Sequence, residues 1–225
     1  MDVSLVIRIA IVVAAALGLG YVYLKYFRRD TAGRQHMLDD FLGYIDDPLV
    51  GKSPWGYERL DGTLDGDRAR IDLVPDSLIT RTLPTLWLEL RLARPSEAFL
   101  CVITLCNGME YFADEVDEGT LLNTPGTWPE GTRVRGKTPA SMALLRRVAD
   151  LDLGAYPHLK MLALTEAGIK VVMRAARGNI TQYKVLRSAT FAEDSVTSDL
   201  VDETVRLVRD LERTLDRGEE LACAR

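Results

Sequence analysis

The chain opens with an apolar run from Val3 to Leu24 in which Arg8 is the one charge. About 20 apolar residues suffice for an α-helix to cross a bilayer, and Arg8 is near enough to the start for its guanidinium to reach the interface. The pattern therefore predicts an N-terminal transmembrane helix. Tyr21, Tyr23, Lys25, Tyr26, Phe27, Arg28 and Arg29 follow as an aromatic and basic collar, which favours a retained anchor over a cleaved signal peptide. Only Arg8 carries positive charge at the front of the run, whereas Lys25, Arg28, Arg29 and Arg34 follow it, so the positive-inside rule places the rest of the chain in the cytoplasm. Ala14 and Gly18, and likewise Ala16 and Gly20, are spaced four apart. They form a small-residue stripe at which a second membrane helix could pack closely.

Beyond the anchor, Leu38, Phe41, Leu42 and Ile45 recur at helical spacing until Pro48, predicting a short amphipathic helix. From Tyr57 the period changes to two. Asp65-Gly66 has the composition of a type I′ hairpin turn, after which Ala69, Ile71 and Leu73 alternate with Arg68, Arg70 and Asp72. Leu86, Leu88, Leu90 and Leu92 alternate with Trp87, Glu89 and Arg91, which predicts a half-buried strand with a more polar second face. Phe99 to Leu105 is apolar throughout, as in a central strand, and Asn107-Gly108 is a second hairpin signal leading into Met109 to Phe112. Ala113 to Glu130 reads as a long loop.

Pro139 at a first helical position, preceded by Thr138 as a cap, opens a helix with Met142, Leu144, Leu145 and Val148 on its buried side. A second β region follows in Leu159 to Leu164, Ile169 to Ala175 and Tyr183 to Arg187. A long helix then begins near Asp194 or Ser195, with Leu200, Val201, Val205, Val208, Leu211 and Leu215 on one side. The predicted fold class is α+β: an N-terminal transmembrane helix, then an antiparallel sheet covered on one face by two or three helices. The expected divisions are an anchor with its collar over 1–29, a juxtamembrane helix and linker over 30–54, an α+β domain over 55–217 and a flexible tail over 218–225.

Composition narrows the function classes. With 225 residues, 47% hydrophobic and 27% charged, the chain has room for one sizeable core and does not read as disordered. A net charge of -5 gives no general attraction to nucleic acid. Cys101, Cys106 and Cys223 have neither metal-binding nor redox spacing and read as small hydrophobes in a reducing compartment.

The sharpest motif runs from Gly131 to Thr138 and matches the P-loop spacing GxxxxGK[ST], with Gly136, Lys137 and Thr138 as its end. A phosphate cradle needs an apolar strand just before it and a parallel sheet around it, and Asn123 to Glu130 carries two prolines and no apolar run, so the match reads as accidental. Only His36 and His158 are present, which argues against a histidine-rich metal site and against a Ser-His-Asp relay. The carboxylate clusters at Asp39, Asp40, Asp46 and Asp47 and at Asp114, Asp117 and neighbours lack calcium-loop spacing. Trp55, Trp87 and Trp128 are candidate contact residues, with Trp87 on the polar side of its strand.

No catalytic residue, cofactor or metal is expected. The function expected is a membrane-anchored interaction or assembly module, whose partners are the membrane and a protein or second copy, without nucleic acid. The alternatives are a nucleotide-binding protein or enzyme using Gly131 to Thr138, and a small-molecule or lipid sensor.

Overall fold

The period-two stretches become strands because alternation lets one row of side chains leave water while the other stays in it. A computed structural model of the chain describes residues 12–22, 25, 34–76, 84–104, 110–112, 119–137, 139–178, 191–192 and 194–223. Its strands are β1 (Asp46–Lys52), β2 (Glu58–Leu64), β3 (Asp67–Asp76), β4 (Thr85–Leu92), β5 (Leu100–Ile103), β6 (Thr120–Leu122), β7 (Arg133–Gly136), β8 (Leu159–Thr165) and β9 (Gly168–Arg177). They form a nine-stranded sheet in the order β1-β2-β3-β4-β9-β8-β5-β7-β6, with every neighbouring pair antiparallel. Asp65 and Gly66 turn β2 into β3 with φ of 50° and 96°, the two positive values a type I′ turn demands.

Three α-helices accompany the sheet among the described residues: α1 (12–22), α2 (Pro139–Val148) and α3 (Ser198–Cys223). α2 and α3 lie over the face carrying Ile71, Leu73, Leu88, Leu90, Val102, Leu162 and Val171, and add Leu144, Leu145, Val201, Val205 and Leu211 to one continuous core. Each fully buried Leu or Val there contributes about 1.5–3 kcal/mol. Thr197 caps α3 by accepting from the Leu200 backbone N–H at 3.3 Å. Asp65 grips Arg209 of α3 at 2.7 Å and 3.0 Å, while Arg94 reaches Glu212 at 2.9 Å and Asp216 at 2.8 Å.

The second face carries its own smaller cluster, Trp87, Cys101, Ile103, Phe112, Met161, Ala163 and Val172. Phe112 meets Trp87 edge-on, with ring centroids 5.3 Å apart. Tyr111 and Phe112 thus fold over this face, although the Asn107-Gly108 signal just before them lies outside the described residues, as does Tyr183 to Arg187.

Two expectations about the overall architecture need correction. The first concerns the N-terminus: no helix among the described residues is long and apolar enough to cross a membrane. The transmembrane helix, the single-pass membrane location and the cytoplasmic placement inferred from it are not supported. The second concerns the fold class, which is a nine-stranded antiparallel sheet with three helices and apolar packing on both faces, rather than an anchored sheet covered on one face.

Locally, the stripe Leu38, Phe41, Leu42 and Ile45 forms a 3-10 turn over Asp39–Gly43 instead of an α-helix. Leu38, Phe41 and Ile45 are buried there, and Pro48 sits in edge strand β1, where a missing N–H is tolerated. The loop predicted over Ala113 to Glu130 contains β6.

Candidate functional site

Strand register brings together a row of residues that crosses the entire second face. Leu49 of β1 is opposite Asp61 of β2, Asp61 is opposite Arg70 of β3, Arg70 is opposite Arg91 of β4, and Arg91 is opposite Lys170 of β9. The row continues through Ala163 of β8, Cys101 of β5 and Arg135 of β7 to Leu121 of β6. Three cations, Arg70, Arg91 and Lys170, therefore stand side by side on adjacent strands. Like charges directly opposite each other destabilise a sheet, so this arrangement needs counter-charge.

Counter-charge comes from Asp61 and Glu89. Asp61 holds Arg70 at 2.7 Å and Arg59 at 3.0 Å. Glu89, whose side chain is only 3% exposed, takes Arg91 at 2.5 Å and Lys170 at 3.1 Å, and accepts from the Tyr111 hydroxyl at 2.5 Å. Burial pushes the Glu89 carboxyl up, but Lys170, Tyr111 and Arg91 outweigh it and hold the group below its ordinary range. Asp72, directly opposite Glu89, is raised instead, first by burial and further by Glu89, against the lowering effect of Arg59. One carboxylate beneath the row is thus kept charged while its neighbour is pushed toward the neutral form.

The same row borders a depression in the surface. Ala163 and Cys101, its short residues, are buried at 4% and 1% exposed and lie among the lining. The concavity, about 530 Å³, is lined by Arg91, Phe99, Cys101, Lys137, Ala163 and Lys170, with Glu166 and the Ala167-Gly168 turn at its end. The Lys137 ammonium lies 4.7 Å from the centre of the Phe99 ring, close enough for a cation–π contact. A second concavity of about 510 Å³ contains Asp61, Thr63, Arg68 and Arg70 and joins the first at Arg91, Leu92 and Ala167.

Of the described P-loop-like residues Gly131, Gly136 and Lys137, Lys137 lines this site. Gly131, with φ of 82°, lies in the turn before β7, and Gly136 ends β7 against α2, where an added Cβ would meet the Ser141 Cβ at 2.4 Å. Ser141 Oγ accepts from the Lys137 backbone N–H at 3.2 Å and donates to the Phe99 carbonyl at 2.7 Å. The segment around Gly136 is thus a strand packed on a helix; Thr138 lies outside the described residues. Ala14, Ala16, Gly18 and Gly20 lie on α1, exposed, and neither glycine has a neighbouring heavy atom within 4 Å of an added Cβ.

His36 pairs with Asp39 at 3.3 Å on the surface, and His158 Nδ1 lies 2.6 Å from Glu203, joining the start of β8 to α3. Trp128 is buried and donates to the Leu151 carbonyl at 2.9 Å, Trp87 donates to Asp76 at 3.3 Å, and Trp55 is exposed. Among the described residues no group of three or more His, Cys, Asp or Glu could hold a metal ion. Arg70, Arg91, Lys170 and Glu89 do not emerge from the sequence as a site. The signal available was the polar side of the β4 alternation, which holds Glu89 and Arg91 but does not reveal their neighbours.

No protein-family model matches the chain, and no curated protein matches it. Among solved structures it is similar to the mycobacterial trehalose monomycolate transport factor A, TtfA, at 13% identity and a TM-score of 0.41, over 81% of this chain and 96% of that one. Likeness at this level carries neither an activity nor a ligand to this chain.

Proposed function

We propose that the protein is a non-catalytic interaction module whose working surface is the second sheet face, and whose partner presents an acidic, extended segment. The observation that carries this reading is the register that sets Arg70, Arg91 and Lys170 side by side. In a chain of net charge -5, three adjacent cations in one row go against the local rule for sheet stability, and such departures mark functional positions. An acidic partner would meet Arg70 and Arg91, whose side chains are 50% and 56% exposed, and their field would speed encounter.

An extended peptide suits the surface better than a planar anionic bilayer. Neighbouring strands rotate by about 20–25° on average, so a row crossing nine strands follows a twisted path that a chain segment can track and a plane cannot.

The test uses the full chain and a fluorescent peptide of alternating Glu and Ser, read by anisotropy at low and high salt. Binding that weakens with salt and is lost in Arg70→Glu/Arg91→Glu, with circular dichroism unchanged, is the expected result. An intact chain that ignores the peptide at low salt would remove the reading.

A further inference from the structure

We infer that the free edge of β1 is where the chain pairs with a second copy of itself, strand to strand and antiparallel, about a two-fold axis at Val50. Among the described residues β1 has one neighbour in the sheet, β2, and so ends it. Every residue of β1 except the half-buried Gly51 is exposed, including Leu49 at 71% and Val50 at 59%, two large apolar side chains left in water. An edge of this kind presents unpaired N–H and C=O groups that another strand can take up. The inference does not rest on an acidic partner, because it concerns the edge of the sheet and not the cations on its face.

Which backbone groups face outward follows from the hairpin that joins β1 to β2. The Ser53 N–H donates to the Tyr57 carbonyl at 2.8 Å, and the ladder runs on through Lys52 opposite Glu58, Gly51 opposite Arg59, Val50 opposite Leu60 and Leu49 opposite Asp61. Hydrogen-bonded and non-hydrogen-bonded pairs alternate along an antiparallel ladder. Gly51 and Leu49 therefore turn their N–H and C=O toward β2 as Ser53 does, whereas Val50 and Lys52 turn theirs to the free edge. By the same alternation Pro48 faces outward, with a carbonyl and no N–H. The register shift between Asp46 and Leu49, with Asp47 at a φ of 49°, ends regular pairing at that side. The usable edge is short: the Pro48 carbonyl and both backbone groups of Val50 and Lys52.

One symmetric register uses all of it. With Val50 opposite Val50 of the second copy, the pair exchanges both N–H···O bonds, and each Lys52 N–H meets the Pro48 carbonyl of the other strand, so every outward N–H finds an acceptor. Leu49 then lies across from Gly51 of the second copy and diagonal to its Leu49, and the exposed apolar side chains cover one another. Centring the axis on Leu49 would instead set Lys52 against the irregular start of the strand, and centring it on Gly51 would set Val50 against Lys52. Charge favours the same alignment: antiparallel pairing brings Lys52 of one strand to the Asp46-Asp47 end of the other, where a parallel one would place like on like. The other edge strand, β6, has 3 residues. A contact between β1 and β6, which would propagate into an open filament, therefore gains less than the closed two-fold pair.

The experiment is sedimentation velocity on the full chain over a wide concentration range, repeated on Val50→Lys, on Val50→Glu and on an equimolar mixture of the two. Val50 is exposed, so both substitutions leave the fold intact, which circular dichroism checks. The expected result is a monomer–dimer equilibrium that weakens about tenfold in each variant alone, where like charges face each other at the axis, and returns in the mixture, where Lys faces Glu. A parent chain that stays monomeric at the highest concentration, a dimer that either variant leaves unchanged, a mixture no more associated than its parts, or species that keep growing with concentration would each overturn it. The acidic-peptide titration described above is run on the same preparations. A chain that dimerises and ignores the peptide would sink the partner reading alone, and one that binds the peptide without dimerising would sink only the edge pairing.

Discussion

Arg91 on β4 lies directly opposite Lys170 on β9, and the two cations share one carboxylate, Glu89, at 2.5 Å and 3.1 Å. Register sets Arg70 and Lys170 directly beside Arg91, and Arg91 and Ala163 directly beside Lys170. The compensation comes from the adjacent row, where Glu89 occupies the position two residues before Arg91 on the same face of the strand.

Replacing Glu89 with Gln should therefore leave two facing cations above a partly filled network. We expect a loss of about 3 kcal/mol in urea unfolding, the range for removing one partner of a buried ion pair. Adding Lys170→Met to Glu89→Gln should restore much of that loss by removing the repulsion. A double variant no more stable than Glu89→Gln would show that the carboxylate balances something other than Lys170.

Stability in acid should depend on the same group. The Glu89 carboxyl titrates below its ordinary range in the folded chain, so in acid the unfolded chain binds the proton first and stability rises with pH. Its contribution is complete above the unfolded value and disappears as pH falls through the depressed folded value. Glu89→Gln should flatten this part of a stability-versus-pH curve measured by chemical denaturation, and an unchanged slope would refute the assignment.

Gly168 and Gly66 both have positive φ, at 134° and 96°, but differ in space. A Cβ on Gly168 would lie 2.0 Å from the Leu92 carbonyl oxygen, while Gly66 has open space around it. Gly168→Ala should cost about 3 kcal/mol and disturb the end of the concavity, against about 1 kcal/mol for Gly66→Ala. Equal shifts of the urea midpoint in the two variants would contradict the packing described for the β8–β9 turn.

The segment Gly131 to Thr138 offers strand geometry through Gly136 and no phosphate cradle among its described residues. Magnesium-dependent ATP or GTP binding should be absent in equilibrium dialysis. Saturable binding abolished by Lys137→Ala, with unchanged thermal stability, would reinstate the nucleotide reading.

Several local features could be read directly. The β4 leucines at alternate positions are buried, as their spacing requires, and the turn at Asp65-Gly66 has the positive φ pair its composition implies. The apolar side of α3 was equally visible, with Leu200, Val201, Val205, Val208 and Leu211 all buried. Other features misled because periodicity over a few residues is ambiguous. Leu38, Phe41 and Ile45 satisfy helical spacing yet form a 3-10 turn, and a long apolar run at the N-terminus met the hydropathy criterion for a span that the described helices do not provide.

The candidate site was legible only in fragments. Lys137 drew attention for its place in a phosphate-binding pattern, and it lines the concavity for a different reason, as the residue following β7. Glu89 and Arg91 were visible as the polar side of a strand. Their meeting with Lys170, far along the chain, was not.

Local features are written into the chain: where side chains alternate, where a turn can adopt positive φ, and which side of a helix is apolar. Each depends on contacts between residues a few positions apart, which the chain's own geometry imposes. The assembled sheet is what places β9 between β4 and β8 and, with that register, sets Arg70, Arg91 and Lys170 in a row that continues to Ala163 and Cys101. A shift of one residue in strand register turns every side chain to the other face, and that register is set by packing the whole core at once.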